Sequence, residues 1–234
     1  MKKRMMFIFN FLWIALSLDC FNSEKADLEV KCIDIEANIH NMQQVKLSRL
    51  AKEIKYVALS EKSDIVFRGV WDCVFAENYF IAKDMSKCIS YNYQGNILTI
   101  IGSQGRGPGE YQYVNNVAIG QQNKIFIQSL YDLLEYDISG KYLNYYKNCF
   151  LVDNNYIGSW SLINDTLIFG KVSSLIGNEI NKAVVITKQS KVIHEFKNYI
   201  EFTRDKAIAR IEEYHSNIYC FNNEFFFKEM FNFG

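Results

Sequence analysis

Histidine is scarce in this chain, which has only three in 234 residues. His40, His194 and His215 are far apart, with no H-x-H or H-x-x-x-H spacing, and no two cysteines form a C-x-x-C pair. Metal-binding and redox motifs depend on such short spacings. The G-x-S-x-G stretch that positions a serine nucleophile is also absent. The sequence therefore offers no catalytic residue, no metal ligand and no cofactor site.

Net charge is lacking as well, because 26 basic residues balance 26 acidic ones. A protein without a strong positive field has no general attraction for nucleic acid or for an anionic membrane surface. We therefore expect no nucleic-acid partner.

A disulfide framework is not indicated either. After Cys20 an odd number of cysteines remains, at long and irregular spacings. We expect them to be small buried hydrophobic residues. They are Cys32, Cys73, Cys88, Cys149 and Cys220.

The chain has one long apolar run, Met5 to Leu18, which follows three basic residues. It is shorter than the roughly 20 residues of a transmembrane helix, so it indicates a secretory signal over residues 1–20 and an exported protein. Cys20 stands where a lipoprotein signal places its lipidated cysteine, although Asp19 replaces the usual small residue. Lipidation of Cys20, cleavage elsewhere and an uncleaved anchor are the alternatives. We expect a periplasmic or outer-membrane-attached protein of a Gram-negative bacterium, held to a membrane only through a lipidated N-terminus.

Aromatic residues, in contrast, are abundant, with 18 Phe and 15 Tyr, and they favour β-strands. The segment Asn78–Leu98 aligns without a gap on Asn123–Leu143, at an offset of 45 residues (78 to 123). Looser copies cover Asn164–Val172 with Lys182–Phe196, and another begins at Asn222–Met230. Repeats of this length are typical of propeller blades. The sequence predicts an all-β fold, a β-propeller of four-stranded antiparallel blades over residues 61–234.

Two tryptophans lie in the apolar stretches that would form innermost strands, so Trp71 and Trp160 are predicted to be core residues. Residues 21–60 precede the repeat as an N-terminal segment. Within it, Leu28–Ile35 alternates like a strand that could close the ring. Val45–Ser60 reads as a short helical turn followed by a strand.

The only proline lies in a glycine-rich loop between Ile100 and Val114. The loop has neither the lysine and hydroxyl of a phosphate-binding P-loop nor a following helix, so we interpret its glycines as structural. A turn is predicted at Pro108-Gly109. The structural loop residues are Gly102, Gly105, Gly107, Pro108 and Gly109.

Arg106 and Glu110 flank this turn and are the candidate ligand-binding residues. The alternative is that they pair with each other or cap backbone groups of the loop.

The stretch "GNILTIIGSQGRGPGEY", Gly95 to Tyr111, resembles NHL-type repeats, and more closely the six-bladed β-propeller proteins exported by Bacteroides-type bacteria. "IKYVALS", Ile54 to Ser60, is similar to an N-terminal strand of that family, with Ala58 where proline is usual. The resemblance covers about residues 28–230 and implies a six-bladed ring, export, often lipidation, and no settled activity. About three and a half blades of the expected six are present. We therefore expect a C-terminally truncated chain.

These observations favour a binding or interaction module for an unknown protein, peptide or glycan, rather than an enzyme. Two alternatives stay open. One is an NHL-like lyase or hydrolase whose site residues lie in the missing blades, and the other is a non-functional truncated remnant.

Overall fold

The computed structural model describes residues 44, 46–49, 51–60, 67, 69–173 and 179–198, with the backbone of two further strands at 217–221 and 224–228. The chain divides into two units, Met1–Ile54 and Lys55–Gly234. The described part of the first unit contains the short 3₁₀ helix Leu47–Arg49. Cys20, the signal and the predicted strand Leu28–Ile35 lie outside the described residues. Among the described residues, no helix is long and apolar enough to cross a membrane.

The second unit begins its sheets with four strands that follow one another in space as in sequence, and we call them sheet 1. All neighbours in sheet 1 are antiparallel. Its strands are β1 (Asp72–Phe75), β2 (Tyr79–Lys83), β3 (Cys88–Asn92) and β4 (Ile97–Ile100). A short parallel pair in the glycine-rich loop follows, β5 (Ser103–Gln104) with β6 (Glu110–Tyr111).

Sheet 2 repeats the plan of sheet 1, with four antiparallel strands in sequential order. They are β7 (Asn116–Ile119), β8 (Ile125–Ser129), β9 (Asp132–Tyr136) and β10 (Tyr142–Tyr146). A 3₁₀ turn, Gln121–Asn123, joins the first two.

Sheet 3 repeats the plan again but starts with one additional strand of two residues. Its strands are β11 (Leu151–Val152), β12 (Asn155–Leu162), β13 (Leu167–Ser173), β14 (Asn181–Thr187) and β15 (Val192–Lys197). An antiparallel hairpin, β16 (Asn217–Phe221) with β17 (Glu224–Lys228), follows, and β16 contacts β12 and β13.

The all-β prediction is confirmed, since the described residues contain 17 strands and only two 3₁₀ turns. Sheets 1 and 2 have the four strands expected of each repeat, whereas sheet 3 has five. The strand predicted at the end of Val45–Ser60 is wrong, because residues 54–60 pair with no described strand. The Trp71 prediction is also wrong: β1 begins one residue later and the indole is 66% exposed. Trp160 is buried in β12, as predicted.

The 45-residue offset is visible in the turn between the last two strands of sheets 1 and 2. The side-chain oxygens of Asn92 and Asp137 each accept the N–H groups of the residues two and four positions ahead. Gly95 and Gly140 follow with φ of +86° and +81°, values that L-residues rarely adopt. Short polar side chains and a left-handed glycine therefore specify the same turn twice.

The turn glycine also touches the backbone of the segment that precedes its own sheet. A Cβ atom on Gly95 would collide with the carbonyl oxygen of Ala58, and a Cβ on Gly140 would lie 2.5 Å from that of Ile100, the last residue of β4. The close approach and the positive φ both require glycine at these positions.

Sheet 3 makes the same contact without a glycine. Ser190 takes the left-handed position with φ +60°, and its hydroxyl donates to the carbonyl oxygens of Asn148 and Cys149 (2.9 Å to Cys149), just after β10. Thr187 replaces the acidic or amide side chain at the start of the turn. We call these three contacts the turn clamps: Gly95 on Ala58, Gly140 on Ile100, and Ser190 on Asn148.

Sheet 2 is covered on both faces. Side chains of sheets 1 and 2 share one buried cluster, and side chains of sheets 2 and 3 share another. The first includes Tyr79, Ile81, Ile125, Ile127, Leu134 and Tyr136, and the second includes Phe126, Leu133, Phe150, Ile157, Trp160 and Val184. Of the cysteines with described side chains, Cys88 and Cys149 are buried and Cys73 is half-buried, and all three are free.

Two buried polar side chains cross the interface between sheets 2 and 3. The Gln128 amide is fully buried, donating to the Tyr156 hydroxyl (2.9 Å) and accepting the Trp160 indole N–H (2.7 Å). Glu135, also buried, is bridged by Lys124 (3.4 Å) and Lys188 (3.1 Å). Because these polar groups are partnered across the interface, they fix how the two sheets register.

The Glu135 carboxylate also accepts a hydrogen bond from the Tyr146 hydroxyl (2.7 Å). Burial by itself would raise the pKa of Glu135, but the hydrogen bonds from Tyr146 and Lys188 and the charges of Lys188 and Lys124 outweigh it and lower the pKa. The folded protein therefore holds this group ionised more firmly than the unfolded chain does.

The turn clamps predict that Gly140→Val destabilises the fold by roughly 1–3 kcal/mol or more. The free-energy cost of the left-handed φ and the cost of the collision with Ile100 add to each other. Gly158→Ala is the matched control, since Gly158 has an ordinary φ and its Cβ would be 3.3 Å or more from any neighbour. Urea unfolding measures both. Equal midpoints for the two variants would contradict the clamp.

Glu135→Gln should lower the free energy of unfolding at pH 7 by about 1–3 kcal/mol, as expected for lost hydrogen bonds to a charged group. The pKa of Glu135 is lower in the folded protein than in the unfolded chain, so its ionised carboxylate stabilises the fold at pH values above the ordinary pKa of 4.5. This stabilisation is lost as the pH falls through the lowered pKa. The difference between wild type and variant should therefore shrink in acid. Unfolding at a series of pH values tests this, with exposed Glu195→Gln as the control; a difference independent of pH would contradict it.

Candidate functional site

Large apolar side chains are exposed on several neighbouring segments near the place where the chain passes from sheet 1 to sheet 2. Trp71 precedes β1, Met85 lies in the β2–β3 turn, and Tyr113 lies in the loop into β7. The other members flank Trp71 or lie in the β8–β9 turn. We call the set the turn surface: Val70, Trp71, Met85, Tyr113, Leu130 and Tyr131, each between 39% and 66% exposed.

Hydrogen bonds join these segments into one frame. The N–H of Val114 donates to the carbonyl of Met85 (2.9 Å), and the Ser129 hydroxyl accepts the N–H of Gln112 (3.0 Å) and Tyr113 (3.3 Å). On the other side, the N–H of Trp71 donates to the carbonyl of Lys83 (2.9 Å). The loop into β7 is therefore fixed to turns of both sheet 1 and sheet 2.

Asn115 and Lys83 complete this frame. Asn115 Oδ1 accepts the N–H of Leu130 (2.7 Å), and the Lys83 ammonium donates to the Asn115 carbonyl (3.1 Å). Asp84, which is buried, accepts the N–H groups of Ser86 (2.6 Å) and Lys87 (2.7 Å) and thereby shapes the β2–β3 turn. Since the frame uses buried polar groups, the apolar side chains above it are held on a pre-organised backbone.

Leu130 is the most unusual residue of the turn surface. Its φ is +55°, a left-handed conformation that costs an L-residue roughly 1–2 kcal/mol. The hydrogen bond from its N–H to Asn115 holds it there, and its side chain is 39% exposed. Backbone strain of this kind is concentrated at binding and catalytic sites.

A buried lysine and an exposed carboxylate lie next to Trp71. Asp72 and Lys83 are directly opposite in the β1–β2 register, and Lys83 is only 6% exposed. Burial lowers the pKa of Lys83, while the charge of Asp72 opposes that shift. Asp72 is itself exposed, so its negative charge beside Trp71 is available to a ligand.

The glycine-rich loop contacts sheet 2 instead of joining the turn surface. Gly102 has φ +62° and lies against Tyr136, and Gly109 has φ +74° and lies against Tyr142. The N–H of Glu110 donates to the carbonyl of Gly107 (3.1 Å), which closes a turn around Pro108-Gly109. The loop thus packs on the β9–β10 hairpin while its continuation, from Gln112 onward, enters the turn surface.

The two candidate ligand-binding residues of this loop differ in their surroundings. Glu110 accepts the N–H of Gly107 (2.7 Å), and its carboxylate occupies the space that a side chain at Gly105 would need. Arg106 is exposed, and no hydrogen bond or ion pair joins its side chain to any other described residue. Glu110 therefore caps its own loop, whereas the Arg106 guanidinium is accessible.

Sequence reasoning missed the turn surface. Trp71 was predicted to be buried, and Met85, Tyr113 and Tyr131 carry no motif. A signal does exist, since each lies at or beside a position where the repeat changes strand.

Metal ligands were not expected. In the part of the chain that the structure describes, no group of three or more His, Cys, Asp or Glu side chains is placed to hold a metal ion. His194 packs edge-on against Phe196 with ring centroids 4.8 Å apart, whereas His40 and His215 lie outside the described residues.

The fold is similar to a solved structure from Bacteroides fragilis, that of a candidate exported protein. The TM-score is 0.61 at 17% identity, over 76% of this chain and 49% of that protein, so this chain spans about half the length of that relative. A protein of unknown function from Bacteroides caccae aligns with a TM-score of 0.25 at 10% identity, over 53% of this chain and 64% of that one. No curated protein matches the chain.

A protein-family match covers most of the chain. Residues 30–233 match the family described as Domain of unknown function (DUF4934), and this range contains all three sheets, the glycine-rich loop and the turn surface. The match extends over far more than half of the residues. The chain therefore belongs to the DUF4934 family.

Proposed function

We propose that this chain is an exported binding module of the β-propeller type, which captures its ligand on the turn surface. The observation on which this proposal depends is the group of exposed aromatic and aliphatic side chains above a hydrogen-bonded polar frame. Catalysis is not part of the proposal. The ligand is a protein, a peptide or a glycan.

The propeller arrangement is supported by how the sheets pack. Each sheet has its strands in sequential antiparallel order, and sheet 2 buries apolar side chains against a neighbour on both faces. Propeller blades are built and stacked in this way around a central axis. The turn clamps recur from sheet to sheet, as expected of one unit repeated by rotation. The six-bladed, NHL-like form of the ring is part of this proposal.

The binding role is supported by the exposure of the turn surface. Contiguous apolar surface rimmed by polar residues marks interaction sites on soluble proteins. Aromatic side chains are enriched at such sites, because they offer a large contact area with few rotatable bonds. Trp71 at 66% exposure and Tyr131 at 47% are therefore the proposed anchors. Arg106 is a secondary candidate for an anionic group of the ligand.

Export is supported by the basic and apolar pattern of residues 1–20 and by the relative from Bacteroides fragilis, a candidate exported protein. We propose a periplasmic or outer-membrane-attached location, with Cys20 as the lipidated residue.

Binding on the turn surface predicts that Trp71→Ser or Tyr131→Ser weakens ligand binding at least tenfold, a loss of about 1.4 kcal/mol that is ordinary for an aromatic anchor. A ligand is first selected with the wild-type chain from a displayed peptide library and a panel of soluble oligosaccharides. Titration calorimetry then compares the variants.

Ile193→Ser is the matched control, since Ile193 is 51% exposed on β15, outside the turn surface. Thermal unfolding confirms that all variants fold. A ligand that binds the Trp71 and Tyr131 variants as tightly as wild type, but not the Ile193 variant, would overturn the proposal.

Lipidation predicts that Cys20→Ser abolishes partitioning of the chain into the detergent phase of a Triton X-114 separation, because the acyl chains supply the membrane affinity. Metabolic labelling with palmitate gives a second readout. Unchanged partitioning and no label in wild type would contradict lipidation.

A further inference from the structure

The turn surface contains non-aromatic apolar side chains as well as rings. Val70, Met85 and Leu130 are between 39% and 45% exposed. An aromatic ring can pack on the face of a sugar or on a protein side chain, whereas aliphatic and thioether groups gain free energy mainly by contact with other apolar groups. The hydroxyl-covered surface of an oligosaccharide offers few such groups. The composition therefore favours a polypeptide ligand with large apolar side chains.

An aspartate directly follows each of the two proposed anchors. Asp72 follows Trp71, and Asp132 follows Tyr131. Consecutive Cα atoms are only about 3.8 Å apart, so a ligand side chain as long as lysine or arginine can contact a ring and the adjoining carboxylate together. The faces of Trp and Tyr rings attract such cations, and Trp does so most strongly. Each anchor thus combines an exposed ring with a neighbouring carboxylate.

Neutral groups hydrogen-bond to both carboxylates. The N–H of Cys73 donates to Asp72 (2.9 Å). Asp132 accepts the N–H of Asn148 (2.7 Å) and the hydroxyl hydrogen of Tyr145 (2.5 Å). An ionised carboxylate accepts such bonds with both oxygens and keeps its negative charge. The hydrogen bonds therefore position the two charges without cancelling them.

The segments that form the turn surface contain three aspartates and two lysines, so their summed charge is negative. These segments are residues 69–72, 83–87, 112–115 and 129–132. Lys83 is only 6% exposed and its ammonium donates to the Asn115 carbonyl (3.1 Å), while Lys87 is half-buried. Asp72 is the one exposed charged residue of these four segments. The charge that a ligand meets beside Trp71 is therefore negative.

We infer that the turn surface binds a polypeptide segment that presents a lysine or an arginine beside a large apolar side chain. The apolar side chain packs on the non-aromatic members, and the basic group lies against Trp71 and pairs with Asp72. Electrostatic complementarity of this kind selects among partners and speeds their encounter. The inference rests on the proposed function of the turn surface and names the class of its ligand.

The test begins with a displayed library of random peptides selected on the wild-type chain, in parallel with a panel of soluble oligosaccharides. We expect the selected peptides to be enriched in lysine or arginine next to aromatic or aliphatic residues. In a synthetic copy of such a peptide, replacing the basic residue by glutamine should raise Kd about tenfold. Added NaCl should raise the Kd of the basic peptide as well, since salt screens exposed charges.

Asp72→Asn removes the charge but keeps an oxygen that can accept the Cys73 N–H, so the variant should fold like wild type. It should bind the basic peptide about three- to tenfold more weakly and with a smaller dependence on salt. Glu195→Gln is the matched control, because it removes an exposed carboxylate from β15, and it should bind as wild type does. Thermal unfolding checks that both variants fold.

Two results would overturn the inference and leave the proposed function standing. One is a set of peptides that bind through Trp71 but carry no basic residue, or that bind Asp72→Asn as tightly as wild type. The other is a library without Trp71-dependent peptides while an oligosaccharide binds in a Trp71-dependent manner, since the ligand would then be a glycan. If no ligand of either class depends on Trp71 or Tyr131, the proposed function fails and the inference fails with it.

Discussion

The organisation of this protein depends on the burial of both faces of a four-stranded sheet. Strands β8 and β9 of sheet 2 have apolar side chains on both faces. Ile125 and Ile127 pack toward sheet 1, whereas Phe126 and Leu133 pack toward sheet 3. A sheet of this composition is stable only between two others, because each uncovered face would expose several large side chains to water. Two of the turn clamps then join each sheet to the end of the one before it, Gly140 at Ile100 and Ser190 at Asn148. The turn surface follows from this packing. Where the chain passes from sheet 1 to sheet 2, its loop into β7 is hydrogen-bonded to the β2–β3 turn and to the end of β8.

Much of the fold could be predicted from the sequence, because its signals are local. Short apolar runs rich in Tyr, Phe and Ile and separated by polar turns indicate the strands, and the pairs Asn92–Gly95 and Asp137–Gly140 define the last turn of sheets 1 and 2. The same turn in sheet 3 was harder to see. Thr187 accepts the backbone hydrogen bond that Asn92 and Asp137 accept in the other sheets, and Ser190 takes the left-handed conformation of the glycine. The turn is therefore conserved in geometry although its residues differ.

The candidate site was less predictable, because exposure is a property of the assembled sheets. Trp71 precedes β1 by one residue, and neither the apolar content nor the periodicity of its surroundings indicates that its indole faces solvent. Arg106 and Glu110 drew attention through the glycines around them. The structure places Glu110 on its own loop backbone and leaves Arg106 exposed. The glycine and proline pattern therefore predicted a turn correctly. The exposed aromatic residues of the turn surface are part of no such pattern, so the sequence alone did not indicate them.

The proposed function depends on the proposed radial arrangement of the three sheets, and distances between their last strands test that arrangement directly. Leu98, Leu143 and Ile193 are the second residues of β4, β10 and β15 and are all exposed, so spin labels at these sites report on three equivalent points. Pulsed electron paramagnetic resonance would measure the three pairwise distances in labelled variants. Blades around an axis predict similar 98–143 and 143–193 distances and a 98–193 distance clearly shorter than their sum. A 98–193 distance equal to that sum would mean that the sheets stack in a straight line, and would contradict the propeller arrangement.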